Sequence, residues 1–122
     1  MTTEQRQAQQ KKYRLENRAS CLLKRAKHYA KKRKEPFDLT HEWIQERLDT
    51  GVCEVTGLPF TIASGPRSPW TPSLDQINPR EGYTQKNCRV VVWIYNTAKQ
   101  NWSDAEVRQL AEALTYQNLA MK

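Results

Sequence analysis

Apolar positions recur at helical spacing in the first part of the chain. Between Lys11 and Lys34 no Pro or Gly interrupts, and Leu15, Ala19, Leu22, Leu23, Ala26 and Ala30 form one narrow stripe. The spacing predicts a helix there, ended by Pro36 at Glu35 or earlier. The ten residues before it are polar and Gln-rich and are expected to fray. Thr40 suits the N-cap of a second helix, with Glu42 in its first turn. Trp43, Ile44 and Leu48 would form its buried side, and Gly51 its stop. Val52 to Phe60 reads as a short strand or hairpin arm closed by Thr56-Gly57-Leu58-Pro59. Residues 62–72 read as loop, punctuated by Gly65, Pro66, Pro69 and Pro72. Trp70 within it is either a core lid or a nucleic-acid contact, and the core lid is favoured.

The pattern then shortens. Ser73 to Ile77 is an apolar-flanked run with Asp75 at its centre. Asn78 to Gly82 is a turn segment, and Cys88 to Val92 is a β-branched run. That run leads directly into a segment with Asn96 and Lys99. Strand, loop, strand, helix accounts for this order most simply. Ser103-Asp104-Ala105-Glu106 is a capping-box sequence. Val107, Leu110, Ala111 and Leu114 give the helix after it an apolar face, expected to pack on the core, with Tyr116 to Lys122 fraying. The fold class is α+β.

Charge adds a division of labour. The 122 residues suffice for one domain with an appended arm. Lys and Arg number 20 against 13 Asp and Glu, a net charge of +7. Residues 1–36 alone hold 12 basic and 3 acidic residues, so a basic helical arm (1–36) precedes a near-neutral body (37–122). Such an arm suits a polyanion, most simply nucleic acid; the ordinary alternative is a solvated helix face. Lys24, Lys27 and Lys31 are its candidate phosphate contacts, and their binding would be salt-dependent. Three cysteines, no CxxC and no signal peptide point to free thiols in a reducing cytosol. No apolar run approaches the ~20 residues of a membrane span, so no membrane partner is expected. His28 and His41 read as surface residues.

The motif S-L-D-Q-I-N-P-x-x-G-Y-T-x-x-N-C-R-V-V followed by N-x-x-K, with Cys53 to Phe60 upstream, resembles the ββα-metal nucleases of the HNH superfamily, particularly small phage-type members. The likeness spans roughly residues 20–115. It implies a ββα-metal core, a short antiparallel hairpin plus helix, flanked by N- and C-terminal helices, in residues 37–122. It further implies a metal-dependent endonuclease hydrolysing DNA phosphodiester bonds, phage- or prophage-encoded and acting in the bacterial cytoplasm. Asp75 and Asn96 take the metal-ligand positions for a single Mg²⁺ or Mn²⁺. Both offer the oxygen ligands such an ion accepts. Asn87 takes the middle position that ties the loop. Lys99 matches the N-x-x-K spacing, and Arg80, Lys86 and Arg89 surround the motif where they could hold phosphates. Cys53 has no second cysteine near it, so a structural zinc is not expected.

One position departs from the pattern. Where Asp-His members of the family carry a general-base His, this chain has Gln76; others often have Arg. An amide cannot take a proton near neutral pH, and base catalysis is typically worth ~10²–10⁴-fold. Gln76 could still orient a water, as Gln does in some GTPases. The competing readings are an active endonuclease, a degenerate HNH-fold module that binds nucleic acid without cutting, and an inhibitor of a host protein. DNA is favoured over RNA, while a homodimer and a host protein partner stay open. Each residue alone also has an ordinary reading: Asp75 pairing with Arg80 or Arg89, Asn96 on an exposed helix face, Asn87 in a turn.

Overall fold

A computed structural model describes residues 1–61 and 68–120, without the side chains of 11–16 and 120. The loop expected over 62–72 therefore lies partly outside the described residues. The elements are α1 (Thr3–Glu16), α2 (Arg18–Arg33), α3 (His41–Asp49), β1 (Pro72–Gln76), β2 (Cys88–Val92), α4 (Trp93–Lys99) and α5 (Asp104–Ala120).

The basic segment differs from its expected single helix. It breaks at Asn17 (φ −120°, ψ 28°) into α1 and α2, and α1 begins at Thr3 where fraying was expected. The cause is local. Thr2 and Gln5 form a reciprocal cap: Gln5 N donates to Thr2 Oγ1 (3.1 Å) and Thr2 N to Gln5 Oε1 (2.9 Å). The other end of α2 closes as Lys34 enters the left-handed region (φ 56°), and Glu35 N bonds Ala30 O at 2.9 Å.

Small residues let α2 approach the core closely. Ala19 and Ala26 bury against Trp43, Ile44 and Leu48 of α3, Leu39, and Cys88 and Val90 of β2. Val91 and Val92 build a second cluster with Cys53, backed by Phe60 and Tyr95. Thr40 caps α3 as expected, its Oγ1 accepting from Trp43 N at 3.1 Å. Strands β1 and β2 pair antiparallel from Pro72↔Val92 to Gln76↔Cys88, with Asp75 opposite Arg89. The far edge of β2 is covered by Glu54, whose amide donates to Val90 O (3.1 Å) and whose carboxylate accepts from Val90 N.

The connection from α2 runs beside the hairpin loop. Tyr83 N donates to Pro36 O (2.9 Å) and Asp38 N to Tyr83 O (3.2 Å). Gly82 is required there: its φ is +103°, and a Cβ would stand 2.9 Å from Pro36 O.

Two expectations about apolar residues fail. Trp70 is 42% exposed rather than a core lid. α5 is capped by Ser103 and Glu106 as expected. Beyond Val107, however, it leaves the core: Leu110 and Leu114 are exposed, and the helix continues through Tyr116 to Ala120 instead of fraying. α5 packs on α4, whose seven residues span about 10 Å, while α5 itself runs about 25 Å.

Candidate functional site

Asp75 is the centre of the polar interior. Its place on β1 puts it opposite Arg89, and only 1% of its surface is exposed. Arg89 Nε donates to Oδ2 at 2.9 Å, and Lys99 Nζ to Oδ1 at 3.2 Å. Lys99 is wholly buried and also donates to Gln76 O at 2.7 Å. Arg89 reaches further to Asp104 at the start of α5, which also accepts from the Tyr95 hydroxyl. Four charges of alternating sign thus join β1, β2, α4 and α5.

The network shifts its members' acidities. The Arg89 guanidinium, aided by Tyr95, holds the Asp104 carboxyl below the usual range against the effect of burial. Burial and the Asp104 hydrogen bond push the Tyr95 phenol up to about 12. Burial opposes the Arg89 charge, but hydrogen bonds to Asp104 and Asp75 outweigh it and raise that group further. Burial, with the Asp75 charge adding to it, pushes the Cys88 thiol up to about 12.

Asn87 spends its side chain inside the hairpin loop. Nδ2 donates to Asn78 O (3.0 Å) and Gly82 O (2.8 Å), and Oδ1 accepts from Asn78 N (3.0 Å). It ties the loop and has no free donor for a reacting phosphate. Gln76 Nε2 donates to Glu35 Oε1 at 3.0 Å, and the same oxygen accepts from Gly82 N at 3.2 Å. Glu35, delivered by the turn after α2, thus sets the orientation of Gln76. Asn96 Nδ2 is bound to Ser73 Oγ (2.8 Å) and Leu74 O (3.1 Å).

Asp75, Gln76 and Asn96 share a concavity of about 160 Å³ with Arg33. The predicted pair therefore does meet at one place. A resident divalent ion nevertheless does not fit the residues as they stand. It would be a third cation on a single carboxylate already claimed by an ammonium and a guanidinium, with one neutral amide as its other protein ligand. Among the described residues no three His, Cys, Asp or Glu side chains gather elsewhere.

The cationic candidates divide into two groups. Lys24, Lys27 and Lys31 on α2 and Arg80 and Lys86 in the hairpin loop are exposed, as phosphate contacts must be. Lys99 and Arg89 depart from expectation: Asp75 draws both inward, where Lys99 has no access to a phosphate. Sequence reasoning missed Arg18, Arg25 and Arg33, which line a concavity of about 340 Å³ beside Ser73 and Asn96. Their spacing of seven and eight residues was the available signal.

Comparison of the chain with protein-family models, curated proteins and solved structures finds no match in any of the three.

Proposed function

We propose that this chain binds nucleic acid, DNA in preference to RNA, on the face where α2 meets the hairpin and α4, as an HNH-like module without a resident metal. The observation that supports this reading is the sign of the charge around Asp75. Its one carboxylate is neutralised from within by Arg89 and Lys99, while the openings beside it are lined by arginines of α2. Such a surface receives an anion more readily than a cation. The exposed Lys24, Lys27 and Lys31 add positive charge on another face of α2. Fluorescence anisotropy of labelled DNA over a salt series tests the reading, with RNA as competitor. Binding that weakens steeply with salt is expected; absence of binding at low salt rejects it.

A second reading, phosphodiester hydrolysis, is favoured by Asp75, Gln76 and Asn96 lining one concavity with Arg33. Glu35 already grips the side chain at position 76, so an imidazole introduced by Gln76→His would meet a carboxylate partner there. Supercoiled plasmid is incubated with Mg²⁺ or Mn²⁺ and either wild type or Gln76→His. Nicking by Gln76→His well above wild type supports this reading. No nicking by either protein with either ion removes it.

A further inference from the structure

Among the described residues three guanidiniums line the larger concavity between α2 and the β1–α4 edge, and no carboxylate does. Arg18, Arg25 and Arg33 stand two turns apart on α2, so their backbones are separated by about 10 Å and about 12 Å along its axis. Among the described residues no Asp or Glu pairs with any of the three. Arg18 Nε is shut off from solvent and has no hydrogen-bond acceptor among the described residues, an arrangement that costs stability unless something supplies one. Arg25 and Arg33 both lie over the Tyr29 ring, 5.7 Å and 4.9 Å from its centre, which holds them in place. On the opposite wall Ser73 accepts from Asn96, leaving its own hydroxyl hydrogen to donate.

Guanidiniums without a carboxylate partner select oxyanions, and phosphate suits their forked geometry. One phosphate cannot bridge a row about 22 Å long, but a chain of phosphates can. We propose that this concavity is the groove for a single DNA strand, with Arg18, Arg25 and Arg33 each taking a backbone phosphate. A cationic groove with aromatic walls, here Tyr29 and Tyr83, is a general solution for single strands. The lysines at Lys24, Lys27 and Lys31 occupy a different face of α2, away from this wall. The groove rests on the nucleic-acid reading above and adds to it the path of the strand.

The test is anisotropy with a fluorescein-labelled oligodeoxynucleotide, single-stranded and as its duplex, over a salt series. Arg18→Gln, Arg25→Gln and Arg33→Gln are compared with Lys24→Gln, each first checked by thermal melting. Each arginine variant is expected to loosen the single strand roughly tenfold or more. Each should also lower the slope of log affinity against log salt by about 0.7. Arg18→Lys, which retains the charge without the fork and serves if Arg18→Gln does not fold, should restore the slope but only part of the affinity. Losses from Lys24→Gln equal to those from the arginine variants, or tighter binding of the duplex, would overturn the groove and leave the nucleic-acid reading standing. Failure of the wild type to bind either form would remove both.

Discussion

Lys99 Nζ lies 3.2 Å from Asp75 Oδ1 in the interior, and neither side chain is more than 2% exposed. The lysine comes from α4 and the aspartate from β1, so the pair fastens helix to hairpin. Desolvation makes such a pair a modest stabiliser as a whole, and removing Lys99 leaves the buried Asp75 with Arg89 as its cationic partner. Lys99→Met is expected to lower the unfolding free energy by about 1–3 kcal/mol, read from urea denaturation. The double variant Asp75→Leu with Lys99→Met should lose less than the sum of the single losses. Strict additivity would show that the contact does not matter.

Asn87→Ala removes three hydrogen bonds in a buried site: Asn78 N loses its acceptor, and Gly82 O and Asn78 O each lose one donor. A loss of about 2–4 kcal/mol is expected from bonds of this kind. Asn87→Asp is the sharper test. It preserves shape but sets a carboxylate against two carbonyl oxygens, so it should be no more stable than Asn87→Ala. A near-neutral Asn87→Asp in chemical denaturation would contradict the assigned hydrogen bonds.

Acid and base should weaken the fold through different groups. The Asp104 carboxyl is depressed on folding, so its contribution is present above the unfolded value near 4 and is lost as pH falls through the folded value. Cys88 and Tyr95 are raised on folding, each to about 12. Their contributions are intact below the unfolded values, near 8.5 and 10, and are lost as pH rises toward 12. Stability measured by urea midpoint against pH should therefore fall below pH 4 and again above pH 9. Asp104→Asn should flatten the acid limb, and Cys88→Ala should flatten part of the alkaline limb.

Most of α5 should be dispensable to the fold. Leu110, Leu114, Tyr116 and Leu119 are exposed, whereas Asp104 is bound to Arg89 and Tyr95. Ending the chain after residue 110 is expected to change the thermal midpoint little, since surface changes usually amount to ~0.5 kcal/mol. Asp104→Ala should cost more than the whole truncation. The reverse ranking would mean that the distal helix supports the core.

Features set by neighbouring residues could be read directly from the chain. Thr40 as a cap, the Ser103–Glu106 box and the hairpin at Asp75 and Arg89 all follow from local chemistry. The reciprocal Thr2–Gln5 cap was equally local but was hidden in a Gln-rich start. Lys99 was unreadable because its burial depends on a partner 24 residues away. Glu35 resembled a helix-end charge, yet it reaches across 41 residues to Gln76. Arg18, Arg25 and Arg33 were lost among the 12 basic residues of the first 36. Helix periodicity sets them on another face from Lys24, Lys27 and Lys31, but only the packing of α2 on β1 shows which face lines a concavity.

The pairing of Asp75 with Arg89 across the hairpin also bears on how the chain chooses its alignment. A ladder of five pairs has several ways to slide, and three consecutive valines on β2 distinguish poorly between them. A shift of two residues preserves which side each residue faces, yet it would set Asp75 opposite Val91 or Asn87 and strand its charge. The ionic contacts thus act as an index mark: they make every misthreaded hairpin expensive, whatever they add to the correct one.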